Sequence, residues 1–101
     1  MNYTSLSGAQ RRQLRALAHG LRPVVLLGKE GLSDAVVHAA DVALNDHELI
    51  KARLPQLEKS QRKELADQLA RATTANLVGL TGRVVILYRA HPEKPKIRLT
   101  R

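Results

Sequence analysis

A chain of 101 residues with a formal net charge of +8 and a pI near 10.6 is one domain by size, and its field attracts polyanions, so nucleic acid leads the partner classes. With 44% apolar residues the chain can bury a core, but only 2% are aromatic (Tyr3 and Tyr88, with no Phe or Trp), so that core is expected to be aliphatic. The absence of Cys excludes a disulfide framework and thiolate metal sites and fits a reducing cytoplasm, and no stretch nears the ~20 apolar residues of a membrane span.

Residues Met1 to Ser7 lack the charged and then apolar regions of a secretory signal, and no bulky aromatic anchors mark a membrane-surface helix. A soluble, untargeted chain with no membrane contact is the expectation. Charge is unevenly spread. Residues 1–30 are basic, residues 31–50 hold Asp34, Asp41, Asp46 and Glu48 with no Lys or Arg, and the remainder is basic again. A polyanion should avoid the second block.

Ser7 followed three residues later by Gln10 is a capping-box spacing, and Leu14, Leu17, Ala18 and Leu21 set a helical apolar face that Gly20 ends. Arg11, Arg12, Arg15 and His19 fall on the opposite side, as a solvated helix face or as a surface for phosphates. Pro23 then introduces Val24-Val25-Leu26-Leu27, an unbroken apolar run that predicts a strand buried on both faces, and Gly28-Lys29-Glu30-Gly31 closes it. Ser33 caps a second helix with Val36, Val37, Ala40, Ala43 and Leu44 inward and an acidic outward stripe of Asp34, His38, Asp41 and Asn45.

From Glu48 to Leu54 the period becomes two, with Ile50, Ala52 and Leu54 on one side and Lys51 and Arg53 on the other, until Pro55 ends the strand. A third helix runs from about Leu57 or Ser60 to Ala72, with Leu65, Ala66, Leu69 and Ala72 inward. A hairpin follows: Leu77 to Leu80, a turn at Thr81-Gly82, and Val84 to Tyr88, the last expected to be central in its sheet. The basic, proline-interrupted tail, His91 to Arg101, has Ile97 and Leu99 to dock it or to form an edge strand. The order αβαβαββ predicts a single α/β domain spanning residues 1–101, one layer of mixed sheet covered by helices.

The Gly28-Lys29-Glu30-Gly31 loop lies between a strand and a capped helix, where backbone N–H groups and a helix N-terminus can meet phosphate. Its Gly-x-x-Gly spacing is also how the KH module clamps nucleotide backbone. The pattern is common, and a tight strand-to-helix turn with one glycine at positive φ explains it equally. A Walker phosphate loop is excluded, because no Gly-Lys-Ser/Thr ending is present. His19, His38, His47 and His91 have no metal-pair spacing and no completing carboxylate, so no metal is expected. His47 beside Glu48 suggests an acid–base pair, but neighbours in a strand point to opposite faces, which favours a structural role.

The Leu6-Ser7 entry with its basic first helix, Pro23-Val24-Val25-Leu26-Leu27-Gly28-Lys29-Glu30-Gly31-Leu32, His47-Glu48-Leu49-Ile50-Lys51 and Gly82-Arg83-Val84-Val85-Ile86-Leu87-Tyr88-Arg89 resemble, in order and spacing, the CRM domain of the chloroplast RNA splicing and ribosome maturation family. The resemblance implies a four-stranded mixed sheet in a fold similar to the C-terminal domain of translation initiation factor three. It also implies an RNA grip at Gly28, Lys29, Glu30 and Gly31, with a neighbouring basic surface carried to Lys51 and to Arg11, Arg12 and Arg15. Arg53 and Arg22 extend that basic track. Two departures stand out: Glu30 puts a negative charge inside the loop, and Thr74 occupies a position where a glycine is expected after the third helix.

The expected function is a non-enzymatic RNA-binding factor in large-subunit assembly. It would bind large-subunit ribosomal RNA or its precursor particle as a cytoplasmic monomer, with no cofactor and no small-molecule substrate. The rivals are a general DNA- or RNA-binding protein, a protein-interaction module whose basic surface is incidental, and an RNA-modifying enzyme, for which ligands to a metal or cofactor are missing.

Overall fold

Ser7 opens the first helix with both halves of a capping box: its Oγ accepts the Gln10 amide at 3.1 Å, and its own amide donates to Gln10 Oε1 at 3.0 Å. The computed structural model describes residues 5–101 and runs through α1 (Gly8–Ala18), β1 (Pro23–Leu26), α2 (Asp34–His47), β2 (Leu49–Arg53), α3 (Lys59–Ala72), β3 (Asn76–Thr81) and β4 (Val84–Tyr88). This is the expected αβαβαββ order. Tyr3 and the first residues of the segment expected to carry no secretory signal lie outside the described residues.

The four strands form one mixed sheet in the order β1-β2-β4-β3, with β1 parallel to β2 and the other pairs antiparallel. The apolar β4 is interior, as expected. Register places Leu26, Arg53, Val84 and Thr81 in one row across the sheet, and Pro23, Lys51, Ile86 and Gly79 in another. Alternation in β2 then does what period-two patterning dictates. Ile50 and Ala52 enter the larger core under α2 and α3, with Val25, Leu44, Leu69, Val85 and Leu87. Leu49 enters a smaller core under α1, with Leu14, Ala18, Val78, Ile86 and Tyr88.

Four expectations are corrected. β1 is an edge strand buried on one face only, with Val24 55% and Leu26 69% exposed. The cause is that α1 lies over β2, β3 and β4 and leaves the outer face of β1 uncovered. Leu17 and Leu21, read as inward, are exposed, because α1 buries only Leu14 and Ala18. In α3 the buried set is Leu65, Ala66, Leu69 and Ala70, while Ala72 faces out. Asp41 and Asn45 do not form a free acidic stripe, since both bind Arg89 at the end of β4, with Nη1 to Asp41 Oδ1 at 2.8 Å and Nη2 to Asn45 Oδ1 at 3.1 Å.

Thr74 supplies the left-handed residue that ends α3, at φ +53°. The Ala75 amide donates to the Ala70 carbonyl at 2.9 Å and the Thr74 amide to Arg71 at 3.2 Å, the paired bonds of a Schellman cap. A threonine therefore stands where glycine is favoured. The tail docks without adding a strand: Ile97 and Leu99 pack against the small core, and Gln10 and Gln13 of α1 bond the Thr100 and Arg98 backbone.

Candidate nucleic-acid interface

The Leu27 amide donates to the Arg53 carbonyl at 2.9 Å, so β1 delivers the chain to Gly28 directly beside the end of β2. The Gly31 amide donates to the Gly28 carbonyl at 2.9 Å, closing Gly28-Lys29-Glu30-Gly31 as a tight turn. Gly31 has φ +73°, a conformation that favours glycine. Lys29 is exposed at the tip. Glu30 curls back rather than pointing away, since its Oε2 would lie 3.7 Å from a Cβ built on Gly28.

The helix end adds less positive potential than the sequence suggests. Ser33 Oγ already accepts the Val36 amide at 3.2 Å, and Asp34 sits in the first turn of α2. What the turn offers an anion is the Lys29 ammonium together with the Lys29 and Glu30 amides, which make no hydrogen bond among the described residues.

Arg53 sits in the row with Leu26, Val84 and Thr81, next to the turn. Arg83 joins it from the β3–β4 hairpin: Arg83 Nε donates to the Leu54 carbonyl at 3.1 Å, and the Leu54 amide returns a bond to the Arg83 carbonyl at 2.7 Å. Sequence reasoning missed Arg83, although its place beside Gly82 at the hairpin turn was the available signal; the turn is Gly82-Arg83, with Thr81 still in β3. On the α1 side of the sheet, Arg15, His19, Lys51, Thr81, Val84 and Ile86 line a shallow groove of about 350 Å³. Arg15 packs across Gly79, its Cδ lying 3.5 Å from where a Cβ would stand. Lys51 Nζ donates to the Leu21 carbonyl at 3.0 Å, which ties β2 to the segment joining α1 and β1.

The other predicted residues lie apart. Arg11 Nη1 donates to the Leu77 carbonyl at 2.6 Å on the β3 edge, where Lys59 and Lys63 line the same groove. β3 and β1 are opposite edges of the sheet, so Arg11 is separated from the turn. Arg12 is exposed near the start of α1, and Arg22 is exposed beyond the opposite end of β1 from the turn. The structure thus brings together Gly28, Lys29, Glu30, Gly31, Arg53 and Arg83 at one sheet end, with Lys51 and Arg15 on the adjoining face. Two ion pairs occur among the described residues, Lys63–Asp67 and Arg89–Asp41, so none of these cations is neutralised by one.

Glu48 has a structural task. It is buried at φ +64°, and its carboxylate accepts the amides of His91 at 2.6 Å, Lys96 at 2.8 Å and Ile97 at 2.8 Å. Burial pushes its pKa up, but the three amides and His91 outweigh it and hold the carboxyl below its ordinary value. Burial, aided by the Glu48 charge, raises the pKa of the Tyr88 phenol. No cluster of three or more His, Cys, Asp or Glu with metal-binding geometry occurs among the described residues, and no helix there is long and apolar enough to cross a membrane.

Comparison with known proteins gives a consistent family. The family model described as the CRS1 / YhbY (CRM) domain matches residues 6–89. The "RNA-binding protein" of Haemophilus influenzae is 39% identical over 98 residues, covering 97% of this chain and 98% of that one. The "Probable RNA-binding protein PA4753" of Pseudomonas aeruginosa is 35% identical over 92 residues, covering 91% and 88%. The solution structure of hypothetical protein SAV1595 from Staphylococcus aureus, described as a candidate RNA-binding protein, superposes with a TM-score of 0.84 at 36% identity, covering 95% of this chain and all of that one.

Proposed function

The chain belongs to the CRS1 / YhbY (CRM) domain family, and from that premise we propose that it is a non-enzymatic RNA-binding protein that associates with precursors of the large ribosomal subunit and assists their assembly. The observation that carries the RNA grip is the convergence of the exposed Gly28–Gly31 turn with Arg53 and Arg83 at one end of the sheet. Lys29 and the turn amides hold backbone phosphates, while Arg53, Arg83, Lys51 and Arg15 extend the contact over the α1 face. Contacts of this kind position a structured RNA by its backbone and shape. Glu30 limits how closely a phosphate approaches Gly28. The reading takes the protein as a cytoplasmic monomer without a cofactor. The large-subunit assignment rests on the family resemblance.

Its test is sedimentation of a native cell extract at low salt, with and without ribonuclease. Ribonuclease-sensitive co-migration with large-subunit precursors is expected. Migration at the top of the gradient in both samples would overturn the assembly role.

A further inference from the structure

We propose that a groove at the far end of β1 from the Gly28–Gly31 turn takes one unstacked nucleobase of the bound RNA. The inference rests on the RNA-binding reading and adds which feature of an RNA the protein selects. The groove measures about 410 Å³, within the range of about 300 to 1,000 Å³ typical of small-ligand pockets. Its walls include Leu17, Leu21, Val24 and Ile97, and Arg22 and His47 supply its polar lining.

Three observations point to a base. First, three of the five large apolar side chains left in water among the described residues gather here, Leu17 at 50%, Leu21 at 40% and Val24 at 55% exposed, and an apolar concavity of this kind marks a binding surface. Second, the lining contains a guanidinium and an imidazole and no carboxylate, which complements an electron-rich ring attached to a phosphate chain. A guanidinium plane is one of the surfaces on which splayed bases stack. Third, the groove is continuous with the proposed backbone grip. Val24 belongs to its wall, and Leu26 follows on the same exposed face, in the row that holds Arg53. Three steps of about 3.3 Å put roughly 10 Å between the two ends of the four-residue β1, a span that a few nucleotides cross.

Chemistry elsewhere on the molecule leaves few other places for a base. Of the two tyrosines, Tyr88 is buried, so no aromatic platform is exposed among the described residues. Aliphatic walls beside Arg22 are the surface on which a base can be desolvated. An acidic amphipathic protein segment is the other occupant an apolar, cation-rimmed groove accepts. Continuity with the Arg53 row and dimensions suited to one small ligand favour the base.

The test uses the full chain and two RNAs that differ by one nucleotide, a perfect duplex and the same duplex carrying a single bulged 2-aminopurine. Wild type should prefer the bulged RNA by about tenfold, the effect of one well-placed nucleic-acid contact, with a change in 2-aminopurine fluorescence on binding. Leu17→Ser combined with Val24→Ser, at two half-exposed positions, should remove the preference while leaving duplex binding unchanged. Val24→Thr, nearly isosteric and suited to a strand, should lower it in the same direction if the double variant folds poorly. Binding of neither RNA by wild type would overturn the RNA-binding reading itself. Equal binding of the two RNAs by wild type, or a preference that survives in the groove variants, would overturn the base site alone and leave the groove to a protein segment.

Discussion

The Glu48 carboxylate accepts the Ile97 amide at 2.8 Å, across a sequence separation of 49 residues. That bond, with those from His91 and Lys96, draws the tail down so that Ile97 and Leu99 close the small core beneath α1. The last basic segment of the chain is thereby a built part of the fold.

Replacing this carboxylate should loosen the tail. Glu48→Gln leaves an amide group facing one of three backbone donors, and a buried bond to a charged group contributes about 1.5–3 kcal/mol. The expected cost is about 2 kcal/mol, or a fall in Tm of roughly 10 °C. The pH dependence has a definite sign. The folded carboxyl titrates below its ordinary value, so its contribution is complete above the unfolded value of about 4.3 and is lost as pH falls through the lower folded value. Thermal melts from about pH 3 to about pH 7 should show wild type losing stability at the acid end, with the difference from Glu48→Gln narrowing there. A constant difference across the range would contradict the latch.

Thr74 holds a left-handed conformation that costs a β-branched residue about 1–2 kcal/mol, and its side chain is exposed. Thr74→Gly removes that strain and gives back part of the gain as backbone entropy in the unfolded chain. The net expectation is a stabilisation of about 0.5–1 kcal/mol, read as a rise of a few degrees in Tm. A fall would mean that the threonine side chain contributes contacts that outweigh the strain.

Arg89 joins the end of β4 to two helices, donating to the Thr73 carbonyl at 2.6 Å as well as to Asp41 and Asn45. Arg89→Met leaves the buried Thr73 carbonyl without that donor, at an expected cost of about 2 kcal/mol or more. Asp41→Asn should cost under about 1 kcal/mol, because the Asp41 side chain is 44% exposed and water screens the pair. Urea unfolding of both variants checks the order. An equal cost would show that the ion pair, rather than the carbonyl bond, carries the link.

Much of this architecture was legible in local patterns. The Ser7–Gln10 and Ser33 caps, the alternation of Ile50, Lys51, Ala52 and Arg53, and the apolar Val84–Tyr88 strand each follow from residues close in sequence, and each is present. The edge position of β1 was not legible, because Val24-Val25-Leu26-Leu27 reads alike whether one face or both are covered. Nor were the tail partners of Glu48 or the α2 partners of Arg89, which lie more than forty residues away in the chain. At the candidate site, the turn and Lys51 were found from their blocks. A helical wheel put Arg11 and Arg15 on the basic side of α1 but could not show that Arg11 turns to the β3 edge or that Arg15 packs across Gly79.

The most direct test of the RNA-binding account is the salt dependence of binding to a structured large-subunit RNA fragment, measured for wild type, Lys29→Glu and Arg53→Glu. If about six phosphates are neutralised, wild-type affinity falls roughly a thousandfold between 50 and 200 mM salt. Each charge reversal should weaken binding and flatten that slope while leaving Tm nearly unchanged, since both side chains are exposed. A flat wild-type response, or unaltered binding by both variants, would contradict an RNA grip at this end of the sheet.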